Sequence, residues 1–286
     1  MPFVIPYPEI DPILVTIPVI GLPIRWYALA YLAAFIVGLM LFRRLMRNAA
    51  LWPGDTAPLT LEQVEALLTW IVVGVILGGR LGFVLFYQPA YYLENPAEIL
   101  QIWTGGMSFH GGFLGVILAL ILFARVHKAP VLQIGDAMAV VAAQGLFFGR
   151  LANFINGELW GRTTDVPWAM VFPTGGPDPR HPSQLYQAAL EGALLFVVIW
   201  WLATRRGGLK VPGRMIGVFF IGYGLARTFV EGFRQADAQF VTAENPFGHV
   251  IRFGADFGFT MGQVLSLPMI AIGIGFLIYA NRRAAA

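Results

Sequence analysis

The segment GRLANFINGELWG, Gly149 to Gly161, ends an apolar run with Arg150, Asn153, Asn156 and Glu158. A second apolar run ends with Arg227, Glu231 and Arg234. Ionisable groups at membrane depth cost about 2.5–3.5 kcal/mol each on conservative insertion scales, so they face partners or a wet cavity. A guanidinium keeps its charge when desolvated and offers a planar fork of donors, which suits a lipid phosphate at the interface. The plainer reading is ion pairing, Arg150 with Glu158 and Arg227 with Glu231 at i,i+4. Both readings hold together if the carboxylates orient the arginines. Arg150, Asn153 and Asn156 recur every three residues and form one polar stripe on a helix. That stripe either lines a headgroup cavity or bonds neighbouring helices at about 0.6 kcal/mol per contact.

His110 lies in GGMSFHGG, where glycines permit close backbone approach. An imidazole there can serve as a general base near neutral pH or simply cap a helix. His181, in RHPSQLY, stands at a helix start and anchors the preceding loop on the plainer reading. Tyr27 falls where an interfacial aromatic belt or a phosphate contact is expected. Arg80, in GGRLGF, is a further anion contact or a snorkelling side chain. No zinc-protease, P-loop or nucleophile-elbow motif is present. Four histidines without a cysteine give no metal-ligand spacing, so neither metal nor other cofactor is expected. The cationic stretches are short and flank helices, which argues against nucleic acid.

These groups need elements to hold them, and composition names the class. Apolar residues are 57% of the chain and charged residues 12%, about half the usual charged fraction of a soluble domain. Mean hydropathy is +0.68. The reading is one all-α polytopic membrane domain over 1–286, with spans near 26–43, 65–87, 107–125, 131–152, 184–203, 214–233 and 262–280. Basic residues follow the odd-numbered spans: Arg43, Arg44 and Arg47; Arg125 and Lys128; Arg205, Arg206, Lys210 and Arg214; Arg282 and Arg283. The positive-inside rule then puts the N-terminus outside and the C-terminus in the cytoplasm. It also sends nearly all the unusual polar residues to one leaflet. The first residues lack a basic n-region, so no cleavable signal peptide is expected. The Pro/Gly-rich stretch 157–183 is read as a small periplasmic head with turns and short strands, and 235–261 as a second outer loop.

With those motifs in place, the chain resembles prolipoprotein diacylglyceryl transferases. The likeness runs through IRWYALAY from Ile24, GGRLGFVLFY from Gly78, GGMSFHGG from Gly105, GRLANFINGELWGR from Gly149, RHPSQLY from Arg180 and YGLARTFVEGFR from Tyr223. One departure is Gln187, where the family often has glutamate. The resemblance implies an enzyme of the bacterial inner membrane with its site toward the periplasm. It implies transfer of the diacylglyceryl group of phosphatidylglycerol to the lipobox cysteine in a prolipoprotein signal peptide, releasing glycerol 1-phosphate. It further implies that Arg150 binds the lipid headgroup with help from Arg227, and that His110 is the base for the thiol. Tyr27 and Glu231 join the catalytic set and Asn153, Asn156, Glu158, Gly161 and Tyr223 the lipid-binding set, to which the position of Arg80 at the end of its span adds a further expected anion contact. The absent cysteine is compatible, because the partner brings the sulfur. Two other classes stay open on the residues alone: an organic-anion transporter, which needs inverted repeats of broken spans, and a noncatalytic phospholipid-binding protein.

Overall fold

Apolar runs of bilayer length become helices in the computed structural model of the chain, which describes residues 5–8, 10–19, 21–254 and 257–285. The long helices are α1 (Trp26–Arg47), α2 (Leu61–Phe86), α4 (Phe109–Val126), α5 (Val131–Ile155), α6 (Ser183–Arg205), α7 (Arg214–Glu231) and α8 (Met261–Ala285). A short α3 (Pro89–Glu94) follows α2. Six of these helices are long and apolar enough to cross a membrane. The exception among the long ones, α7, carries Arg214, Arg227 and Glu231 within 18 residues. Leu77, Leu114, Val197 and Leu225 are exposed on helix surfaces, which is costly in water and natural in lipid.

Sequence punctuation explains where the helices start. Thr60 and Gln63 form a reciprocal capping box at the head of α2. Ser108 caps α4 by accepting from the Gly111 amide at 3.1 Å. Two antiparallel hairpins were not anticipated: β1 (Ile13–Ile17) with β2 (Leu22–Arg25), and β3 (His249–Arg252) with β4 (Gly258–Thr260). The second falls in the expected outer loop 235–261. The stretch 157–183 contains isolated bridges, Thr163 with Arg180 and Met170 with Arg180, in place of full strands.

Packing groups the chain, expected as one domain, into two compact units: Met1–Leu41 with Met138–Ala286, and Phe42–Ala137. In the smaller unit α2 and α4 meet through glycine. A Cβ on Gly74 would stand 2.6 Å from the Gly115 carbonyl oxygen, and one on Gly78 would strike the Gly111 carbonyl. Small residues let backbones touch where lipid supplies no hydrophobic drive. In the larger unit, Gly192 of α6 lies against the Phe147 backbone of α5, where a Cβ would be 2.7 Å from Phe147 Cα. On α7, Gly217 and Gly224 admit Leu277 and Ile270 of α8 in the same manner.

Candidate functional site

The C-terminus of α5 explains why asparagine, glycine and glutamate follow one another. Gly157 adopts φ 63°, its amide bonds the Phe154 carbonyl at 2.9 Å, and the Glu158 amide bonds the Asn153 carbonyl at 3.1 Å. This is a Schellman stop, which needs a residue free to take the left-handed region. It folds Glu158 back over the last turn, so that Asn153 Nδ2 donates to Glu158 Oε1 at 2.8 Å. Arg150 Nη1 donates in turn to Asn153 Oδ1 at 3.2 Å. Arg150 therefore reaches Glu158 through Asn153. Tyr7 donates to the Phe154 and Ile155 carbonyls at 2.5 and 3.0 Å and satisfies two orphan acceptors of the helix end.

The start of α6 is stitched to the same turn. Gln184 Nε2 donates to the Glu158 carbonyl at 2.7 Å, and Ser183 Oγ to the Leu159 carbonyl at 3.0 Å. Within α6, residues Ala188–Leu194 form a π-helical turn, a local widening often found at functional sites. Glu191 sits in that turn with no exposed surface. Its Oε2 lies 3.9 Å from Arg150 Nη2 and its Oε1 3.9 Å from Arg227 Nη1. Gln187 donates to Oε1 at 3.3 Å. Reading the sequence missed Glu191. The available clue was a lone carboxylate inside AALEGALLFVVIWW.

Arg227 also pairs with Glu231 at 3.0 Å, the expected i,i+4 bridge, and Arg234 reaches the same carboxylate at 3.0 Å. A Cβ on Gly262 would stand 2.5 Å from Glu231 Cδ, so the first turn of α8 closes over this acid. Tyr223, one turn before Arg227, lies within electrostatic range of Arg150, Arg227, Arg234 and Glu191. The Tyr27 hydroxyl is 3.3 Å from that of Tyr31, and Tyr31 lies within electrostatic range of Arg150 and Glu158. Asn156 is half-buried, and its side chain makes no hydrogen bond among the described residues. The larger unit thus gathers three guanidinium groups, three carboxylates, side-chain amides and tyrosine hydroxyls. Arg150 is the least engaged of the cations: its one hydrogen bond leaves most of its donors free.

Three expected site residues have other surroundings. Gly161 is a crossing of backbones, where a Cβ would meet the Phe233 carbonyl at 2.5 Å and His181 Cβ at 2.7 Å. Arg80, in the smaller unit, is 3% exposed and donates to the carbonyls of Glu98, Ile99, Gly105 and Gly106 at 2.5–3.3 Å. Its fork is spent on backbone carbonyls, so the side chain clamps the segment 98–106. His110 occupies the first turn of α4 in the same unit. It is exposed, touches the Phe109 ring edge-on, and has no hydrogen bond among the described residues. His181 bonds the Tyr186 hydroxyl at 3.1 Å, and burial lowers its pKa below the ordinary histidine value. Among the described residues no histidine–carboxylate cluster suits a metal ion.

The prolipoprotein diacylglyceryl transferase family matches residues 12–279. The chain belongs to this family. It is 54% identical to a phosphatidylglycerol–prolipoprotein diacylglyceryl transferase of Ruegeria pomeroyi, covering 98% of this chain and 99% of that one. A relative of the same name from Rhizobium meliloti is 51% identical over 99% of this chain and 96% of its own. Another, from Cereibacter sphaeroides, is 50% identical over 98% and 99%.

Proposed function

We propose that this chain is a transferase that moves the diacylglyceryl group of phosphatidylglycerol onto the cysteine thiol of a prolipoprotein, the first step of lipoprotein maturation. The thiol belongs to the lipobox of a signal peptide that reaches the site through the membrane. The protein spans the bacterial inner membrane, and its arginine cluster faces the periplasmic leaflet. The observation that carries this reading is Arg150 beside Arg227, with its donors largely uncommitted, in a chain of this family.

Chemically, the substrate sulfur attacks the glycerol carbon that bears the phosphate. The S–C bond forms as the C–O bond breaks, and the electron pair leaves on the phosphate oxygen as glycerol 1-phosphate. The phosphodiester begins with one negative charge and gains more as it departs, so donors already in place lower the barrier. Arg150 grips the phosphate, Arg227 assists, and Glu231 orients Arg227. Asn153 and Glu158 fix the angle of Arg150. Asn156, Tyr223 and Tyr27 offer hydrogen bonds to the headgroup. His110 accepts the thiol proton. Its support is chemical: an accessible imidazole with no hydrogen bond among the described residues. Gly161 contributes by backbone placement alone.

The test is incubation of the purified protein with phosphatidylglycerol and a lipobox peptide, followed by mass spectrometry of the peptide. A diacylglyceryl adduct, lost in Arg150→Ala, is expected. Lipid binding without any adduct would favour the noncatalytic class.

A further inference from the structure

Among the described residues Glu191 is the carboxylate flanked by arginines from two other helices, and it binds neither in the ordinary way. Both separations are 3.9 Å, past hydrogen-bond reach. Its Oε2 is buried and receives no hydrogen bond. The charge therefore acts on Arg150 and Arg227 through space without taking up their N–H donors, of which Arg150 gives one to Asn153 and Arg227 faces Glu231. Gly192, next in sequence, lets α6 approach the α5 backbone at Phe147 and so brings this carboxylate to Arg150. A buried acid within 4 Å of two anion-binding groups must also repel whatever anion they hold, because low dielectric lengthens the reach of charge.

That repulsion scales with the anion's charge. On the proposed reaction, the substrate phosphodiester carries one negative charge, whereas a phosphate monoester carries about −1.5 to −2 at pH 7. We infer that Glu191 is a positioning and charge-setting residue: it holds Arg150 and Arg227 together and tunes their pocket to a singly charged phosphodiester, so that the more highly charged monoester product is released. The inference rests on the transferase reading for the identity of substrate and product. The charge discrimination itself belongs to the pocket and can be measured without transfer.

The experiment compares binding of glycerol 1-phosphate and of deacylated phosphatidylglycerol, the matching diester, by calorimetry on the full chain in detergent. The wild-type protein should bind the two within roughly threefold of each other. In Glu191→Gln the monoester should gain roughly tenfold over the diester, because one opposing charge near the site is gone. In transfer assays the variant, measured against its own uninhibited rate, should be more strongly inhibited by glycerol 1-phosphate than the wild type is. A purely structural role would weaken both ligands together and leave their ratio unchanged, and that result overturns the inference. If the variant does not fold, the wild-type ratio decides, since a monoester already tenfold tighter than the diester contradicts a charge-tempered pocket. Absence of transfer by wild-type protein counts against the transferase reading alone.

Discussion

Arg227 Nη2 lies 3.0 Å from Glu231 Oε2, one turn further along α7, the carboxylate buried and the arginine partly so. Arg234 shares the same oxygen, and the start of α8 covers the carboxylate. Removing one member of such a group strands the opposite charge, at a cost of about 3–5 kcal/mol. Glu231→Ala should therefore lower thermal stability in detergent as well as transfer, while Glu231→Gln, which keeps a hydrogen-bond acceptor, should lose less stability. Equal melting of the alanine variant and wild type would remove Glu231 from the structural account.

The Arg227–Glu231 pair was legible in sequence because both members lie on one helix at i,i+4. The long helices were legible for a similar reason, since runs of about 20 apolar residues announce themselves. Glu191 was not, because its partners come from α5 and α7 and nothing on α6 marks them. The surroundings of Arg80 were not legible because its partners are carbonyl oxygens, which every residue has and no motif displays. The hairpin of β1 and β2 escaped because ILVTI and LPIR are short and surrounded by proline. Gly161 was recognised only by resemblance, and its physical reason, two backbones crossing against it, appears only in three dimensions.

Arg80 and Arg150 should separate cleanly when each is changed. Arg80 satisfies backbone carbonyls of the segment 98–106, and hydrogen bonds to a charged donor are worth about 1.5–3 kcal/mol each. Arg80→Ala is expected to melt earlier and to be cut faster by protease near Gly105, with transfer per folded molecule much less affected. Arg150→Lys keeps a charge but loses the planar fork. It should fold with nearly wild-type stability and lose at least tenfold in transfer, a split that limited proteolysis and the mass-spectrometric assay read directly.

His181 supplies a pH dependence. Burial beside Phe233 and Tyr186 depresses its folded-state pKa below the model-peptide value of about 6.5. In the unfolded chain the ring takes a proton near 6.5, while in the folded chain it resists until lower pH. Its contribution to stability is complete above that value and falls away as pH drops through 6.5 toward the folded pKa. The junction it supports includes the Gly161 amide on the His181 carbonyl at 2.9 Å. Melting between pH 7.5 and 5.5 should show a decline that is shallower in His181→Gln. An identical slope in the variant would assign the decline to other groups.

The contact of α2 with α4 offers the most direct steric test. Gly74, Gly78 and Gly82 face Gly111 and Gly115, and a methyl group on Gly115 would collide with the Gly74 carbonyl. The obstacle is backbone, which cannot swing aside as a flexible side chain can, so the helices must separate. Overpacking of this kind costs about 1–3 kcal/mol. By contrast Gly145, on α5, has open space where its Cβ would be, and alanine there also favours the helix by roughly 1 kcal/mol. Gly115→Ala should lower the melting temperature in detergent and Gly145→Ala should hold or raise it. The pair of measurements isolates close packing from helix propensity, because both substitutions add the same methyl group to a helix interior and only one of them meets a backbone oxygen.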